Sequence, residues 1–189
     1  MTDPSPVPPA SAVSPAPPAP PVPPVPAVSP VPPMLRPATD ADLDAIMALE
    51  VSSFTTDAWS RDSMARELDS PFCHYLVAVR DGGGLAGYAG LLCPAGSSDA
   101  DIQTIAVDPA DRGQGLGRAL MTALMAEAGR RRATQIFLEV RADNPVAHGL
   151  YRSLGFDDIA VRPNYYQPDG VDAVVMRAEL GRPAGRTTA

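Results

Sequence analysis

Fifteen of the chain's 23 prolines fall before Met34, in a stretch made almost wholly of Pro, Ala, Val and Ser. Proline lacks the backbone N–H and fixes φ, so such a stretch joins neither a helix nor a sheet ladder. Its small side chains bury too little apolar surface to offset the entropy of ordering. Residues 1–33 are therefore expected to form a solvated tail of polyproline II and coil. The folded domain is left to residues 34–180, which are richer in Leu, Val and Ile and long enough for one core. Residues 181–189 read as a short flexible end.

Charge narrows the classes of partner. The 15 basic residues are all arginine, and the formal net charge is −7. That balance opposes non-specific binding to a nucleic-acid backbone and suits a basic polypeptide. Cys73 and Cys93 are too few for a disulfide framework and lack CxxC spacing, so they read as two buried thiols in a reducing compartment. No basic residue precedes Arg36, which speaks against a secretory signal, and no run of about 20 apolar residues suggests a membrane span. A cytoplasmic protein without membrane contact is expected. His74 and His148 have no ligand-like spacing with other His, Cys or Asp residues, so no metal is expected.

Periodicity orders the domain. Met34-Leu35-Arg36-Pro37 reads as a strand, and Thr39-Asp40 caps a helix with Leu43, Ile46, Met47 and Glu50 at helical spacing. A second helix runs from Ser60 to Leu68. Strands follow at Phe72 to Arg80 and Leu85 to Cys93, joined by Asp81-Gly82-Gly83-Gly84 as a hairpin, then at Ile102 to Val107. A helix from about Gly115 to Arg130 buries Leu116, Leu120, Ala123 and Leu124. Its Arg130-Arg131-Arg132 end reads as solvated charge complementing the helix dipole. Thr134 to Val140 is a strand, and Asn144 to Leu154 a helix closed by Gly155. Strands at Phe156 to Val161 and Val171 to Glu179 flank a Pro-Asn-Tyr-Tyr-Gln-Pro loop. The order β-α-α-β-β-β-α-β-α-β-β is mixed α/β without regular βαβ alternation, which excludes a doubly wound nucleotide-binding fold.

Between a strand and a helix stands Arg112-Gly113-Gln114-Gly115-Leu116-Gly117-Arg118. Three alternating glycines let the backbone approach a ligand, and the helix start aims free N–H groups at it. An anion site of the pyrophosphate kind is expected. The Rossmann fingerprint fails because Arg118 stands where its last glycine belongs, and a P-loop fails because the chain has no lysine.

Arg112-Gly113-Gln114-Gly115-Leu116-Gly117 resembles the Q/R-x-x-G-x-G/A signature of the GNAT superfamily of N-acetyltransferases. Ile105-Ala106-Val107-Asp108-Pro109 is similar to that family's fourth strand. The segments from Leu138 to Asn144, Leu150-Tyr151, Leu154-Gly155-Phe156 and Arg162 to Tyr166 resemble its RimI group of ribosomal-protein alanine N-acetyltransferases. Ala58 departs from the group, where proline is common, and the family fold has no need of the proline-rich tail.

The resemblance implies a mixed, mostly antiparallel sheet flanked by helices, with acetyl-CoA as co-substrate. It places the pyrophosphate on Arg112, Gly113, Gln114, Gly115, Leu116, Gly117 and Arg118. It places the pantetheine arm along Ile105, Ala106 and Val107, with a further cofactor contact at Asn144. It makes Glu139 the general base and Tyr151 the acid that protonates the departing thiolate. The acceptor groove would be lined by Trp59, Tyr165 and Tyr166. The acceptor implied is a protein N-terminus, an alanine-starting ribosomal protein.

From pattern alone, Glu139 reads as a solvated carboxylate or a neighbour of Arg141, on the strand face opposite Ile136, Leu138 and Val140. Tyr151 reads as a core aromatic with its hydroxyl tied to backbone. Asn144 before Pro145 reads as a helix cap, and Trp59, Tyr165 and Tyr166 equally as plain packing. Two rivals stay open: an acetyltransferase for a small amine, and a non-catalytic acetyl-CoA-binding adaptor working through the proline-rich arm.

Overall fold

The computed structural model describes residues 32–54 and 56–181. The tail expected at 1–33 and the end expected at 181–189 lie outside the described residues, save for Pro32, Pro33 and Gly181.

Seven strands form one sheet: β1 (Met34–Pro37), β2 (Cys73–Val79), β3 (Leu85–Leu92), β4 (Asp99–Val107), β5 (Gln135–Arg141), β6 (Asp157–Tyr166) and β7 (Val171–Glu179). Their spatial order is β1-β2-β3-β4-β5-β7-β6, with every pairing antiparallel except β4 with β5. Among the described residues, four α-helices complete the domain: α1 (Leu43–Ser53), α2 (Arg61–Asp69), α3 (Leu116–Arg130) and α4 (Pro145–Ser153). The element order and the mixed α/β class are those expected from periodicity.

The helices cover both faces of the sheet. Ile46 and Leu49 of α1 and Met64 of α2 pack on Tyr75, Val77, Tyr88 and Ala106. On the other face, Leu116, Leu120, Met121 and Leu124 of α3 and Tyr151 of α4 pack on Leu76, Ala89, Ile136, Leu138 and Met176. The α3 stripe thus includes Met121, and Ala123 is only partly buried against it. Neighbours such as Tyr88 and Ala89 fall in opposite clusters because successive strand residues point to opposite faces.

Three expectations change. β4 begins at Asp99 rather than Ile102, because its first residues pair in parallel with β5. β6 extends through the expected Pro-Asn-Tyr-Tyr loop to Tyr166. Arg162 pairs with Ala173 and Tyr166 with Val171, so the segment between bulges. Asn164 supports the bulge with φ of 54° and an amide that donates to Asp172 Oδ1 at 2.9 Å. Third, Arg131 is half-buried and paired rather than free in solvent. It pairs with Glu127 at 2.8 Å and donates to the carbonyls of Phe72 and Cys93 at 3.1 and 3.3 Å, stapling α3 to β2 and β3. Cys73 and Cys93 are buried and free, on opposite faces of the sheet.

Candidate active site

β4 and β5 pair only where Asp99–Asp101 meet Gln135–Phe137. Beyond that point β4 continues with β3 through Val107, while β5 continues with β7 through Arg141. The sheet splays there, and the β4 backbone from Ile102 onwards has no strand partner on its β5 side. Gln103 is an extra residue at the same place, because Gly90 pairs with Thr104 and Leu91 with Ile102. Such bulges bend a strand and release it from a ladder.

The opening is a cleft of about 650 Å³, within the usual range for a small-molecule site. Ile105, Glu139, Asn144, Tyr151, Trp59, Tyr165 and Tyr166 all line it, although they come from five separate segments. Ala106 and Val107 do not. Their side chains turn into the two cores, so they offer a ligand only their backbone edge.

Glu139 stands on β5 between inward-facing Leu138 and Val140, on the face deduced from alternation. Its partner is Arg162 of β6, reaching across β7 to place Nη1 2.6 Å from Oε1. Arg141 instead binds Asp143 and Asp169 and stacks 5.1 Å from the Tyr166 ring centroid. Tyr165 and Tyr166 meet edge to face at 5.2 Å, and Arg162 lies over the Tyr165 ring. The Glu139 carboxylate, ahead of burial, raises the Tyr165 hydroxyl above its ordinary pKa.

Tyr151 is 6% exposed, its ring against Phe156, and burial alone pushes its hydroxyl up to about 12. The backbone bond expected for it is not found among the described residues. Asn144 caps α4: its Oδ1 accepts from the Ala147 amide at 3.1 Å, with Pro145 at the first helical position.

The glycine loop lies outside the cleft, where β4 runs on into α3. Gly113 and Gly115 take φ of 74° and 82°, and a Cβ on either would meet nothing within 4 Å. Gly115 caps α3 without a side-chain bond, so the first-turn amides of Leu116, Gly117 and Arg118 point outwards unpaired. The Leu116 side chain is buried, which leaves its amide as its only contribution. Arg112 donates to the Val107 carbonyl at 3.0 Å and Arg118 to Ser153 Oγ of α4 at 2.6 Å. Neither pairs with a carboxylate among the described residues. Gln114 reaches back to the Ala110 carbonyl at 3.3 Å. A Cβ on Gly117 would stand 3.3 Å from Leu150 of α4, so the loop abuts the helix that carries Tyr151.

One buried group in this region carries no role in the sequence reading. Glu50, on the apolar stripe of α1, lies behind Trp59 in the cleft wall. Its signal in the sequence was a carboxylate at a stripe position. Among the described residues, no group of His, Cys, Asp or Glu is placed to hold a metal ion, and no helix is long and apolar enough to cross a membrane.

The splayed sheet, the cleft at its opening and the uncapped start of α3 are the frame of an acyl-transfer domain. The chain belongs to the GNAT family of acetyltransferases, whose model matches residues 43–156. Enzymes of this family use acetyl-CoA as acetyl donor. The chain is 42% identical to the N-alpha-acetyltransferase RimI of Mycobacterium tuberculosis over 149 residues, 77% of this chain and 92% of that one. It is 30% identical over 150 residues to the ribosomal protein bS18-alanine N-acetyltransferase of Haemophilus ducreyi, 78% of this chain and all of the other. Among solved structures, the ribosomal-protein-S18-alanine N-acetyltransferase of Escherichia coli superposes with a TM-score of 0.71 at 32% identity. That match covers 82% of this chain and 98% of the other.

Proposed function

We propose that the chain transfers the acetyl group of acetyl-CoA to the α-amino group of a protein, the N-terminal alanine of a small-subunit ribosomal protein. The observation that carries this reading is a carboxylate, Glu139, and a buried phenol without a partner, Tyr151, facing one cleft at the splay of β4 and β5. The names of the relatives supply the acceptor class.

The residues present fit the donor. The outward amides of Leu116, Gly117 and Arg118, with Arg112 and Arg118, suit a pyrophosphate. The free β4 edge at Ile105, Ala106 and Val107 offers backbone partners to an amide-bearing arm, and Asn144 and Tyr151 line the path between. Trp59, Tyr165 and Tyr166 form the acceptor side.

In the reaction Glu139 accepts the proton that the amine loses as its nitrogen bonds to the thioester carbonyl carbon. Tyr151 gives its proton to the sulfur as the carbon–sulfur bond breaks. An α-amine titrates near ~8, so a carboxylate needs to hold its proton only briefly. A thiol has a pKa of about 8.5, below that of the Tyr151 hydroxyl at about 12, so the proton moves to sulfur only in step with carbon–sulfur cleavage.

The deciding experiment compares peptides with free and blocked N-termini, varied at the first residue, beside polyamines and other small amines. Free alanine-starting peptides are expected to be acetylated fastest. Faster acetylation of lysine side chains on blocked peptides, or of a small amine, would overturn the acceptor assignment.

Gly115→Val is expected to weaken acetyl-CoA binding by roughly 10- to 100-fold, the equivalent of one or two lost bonds to a charged group. A branched side chain strains a backbone at φ of 82° and crowds the phosphates' approach. Calorimetry showing wild-type affinity in the folded variant would remove the loop from the donor site.

A further inference from the structure

Of the ionisable groups in the cleft wall that the chemistry above leaves without a task, Glu50 is the most deeply buried. The Glu50 side chain is wholly buried beside Ile46 and Leu49. Burial, the largest influence, raises its pKa above the ordinary value; the hydrogen bonds from Trp59 and Tyr88 oppose the rise and Asp57 adds to it. A buried carboxylate without a cation costs stability, and an apolar residue would suit the stripe better. Departures of this kind from packing rules concentrate at functional sites.

Its hydrogen bonds show what it holds. Oε1 accepts from the Trp59 amide at 2.8 Å. Oε2 accepts from the hydroxyl of Tyr88 on β3. The Tyr88 oxygen lies in turn 3.2 Å from Thr104 Oγ1 on β4, next to the bulged Gln103. Trp59 and Thr104 both line the cleft, from opposite elements. One carboxylate therefore joins the loop after α1 to the strand that splays.

We infer that Glu50 is a positioning residue for the acceptor: it ties the loop carrying Trp59 to the bulge of β4 and so sets the width of the cleft where the acceptor enters. The inference rests on the peptide-acceptor reading above. Its agent is reach and hydrogen bonding, so the three variants Glu50→Gln, Glu50→Asp and Glu50→Ala rank in a defined order.

Gln keeps an acceptor for the Trp59 amide and can donate to the Tyr88 oxygen. The KM for an alanine-starting peptide is expected to stay within about threefold of wild type. Asp is too short to hold both partners, so KM should rise roughly 10-fold, and Ala should raise it roughly 100-fold, as misplaced binding groups do. Acetyl-CoA affinity should not move in any of them. Trp59 is the chain's single tryptophan, so its emission reports the loop directly. Emission should be unchanged in Gln and shifted to the red in Asp and Ala.

Because folding raises the Glu50 pKa, stability is greatest while the group is protonated and falls as pH rises through the folded value. Glu50→Gln should therefore melt no lower than wild type at neutral pH, which separates cleft geometry from stability.

A folded Asp variant with wild-type KM and emission would overturn the inference. So would an inactive Gln beside an active Asp, since charge rather than reach would then decide. Should Glu50→Ala fail to fold, the Gln and Asp pair is decisive alone. If the wild-type protein leaves the peptide unmodified, the acceptor reading fails instead, and emission without peptide still tests the tie between Glu50 and the loop.

Discussion

Tyr151→Phe is expected to lower turnover by ~10²–10⁴-fold at every pH where the protein is folded, with acetyl-CoA affinity retained. The ring stays, so its packing against Phe156 and the α3–α4 core stays with it. Only the hydroxyl is lost, and that hydroxyl has no structural bond to surrender. Burial pushes its pKa up to about 12, so in the wild type it remains protonated through the whole range in which an α-amine titrates. The supply of acid is therefore constant with pH, and so is its loss. Raising the pH should not rescue the variant, because hydroxide supplies no proton to a departing thiolate. The measurement is a pH–rate profile beside donor binding and a melting curve. Turnover near wild type would leave Tyr151 as a core aromatic and favour a non-catalytic role for the domain.

Glu139→Gln is expected to lose a comparable factor, ~10²–10⁴-fold, but with the opposite pH signature. Gln keeps the shape and cannot take a proton, so the rate depends on amine already neutral in solution. That fraction grows as pH rises towards the α-amine pKa of about 8, and part of the loss should return there. Below it the deficit should widen. The substitution also frees Arg162 from its ion pair, yet that guanidinium is more than half exposed, so water replaces the carboxylate at little cost to folding. A flat profile, with the same deficit at low and high pH, would mean that Glu139 orients groups through Arg162 and Tyr165 and does not accept the proton.

Parts of this site were legible in the sequence because their physics is local. Three glycines between a strand and a helix pattern announce a helix start with free amides, since both the amides and the backbone conformation depend only on neighbouring residues. Asn144-Pro145 is a cap for the same reason. The face of β5 that carries Glu139 follows from a period of two. The roles attached to Glu139 and Tyr151, in contrast, came from resemblance, because a carboxylate on a strand and a tyrosine on a helix look alike whether they are structural or chemical.

Glu50 shows the opposite case. The helical spacing of Leu43, Ile46, Met47 and Glu50 was visible, but a carboxylate on a stripe usually marks the edge of the buried face. Its burial requires Tyr88 from β3 and the loop of Trp59 to close over it, 38 and 9 residues away along the chain. Arg162 was equally out of sight: it meets Glu139 only because β7 inserts between β5 and β6.

What the sequence alone determined is the order and type of the elements, the buried stripes of the helices and the position of the glycine loop. All of these follow from periodicity, caps and backbone conformational freedom within a few residues. What the tertiary structure decided is where the sheet opens. β4 and β5 share three paired residues and then part, each following the antiparallel neighbour on its other edge, β3 for one and β7 for the other. The β4–β5 pairing joins residues 36 positions apart and leaves no periodic trace in either strand, yet where it ends opens the cleft lined by Trp59, Ile105, Glu139, Asn144, Tyr151, Tyr165 and Tyr166.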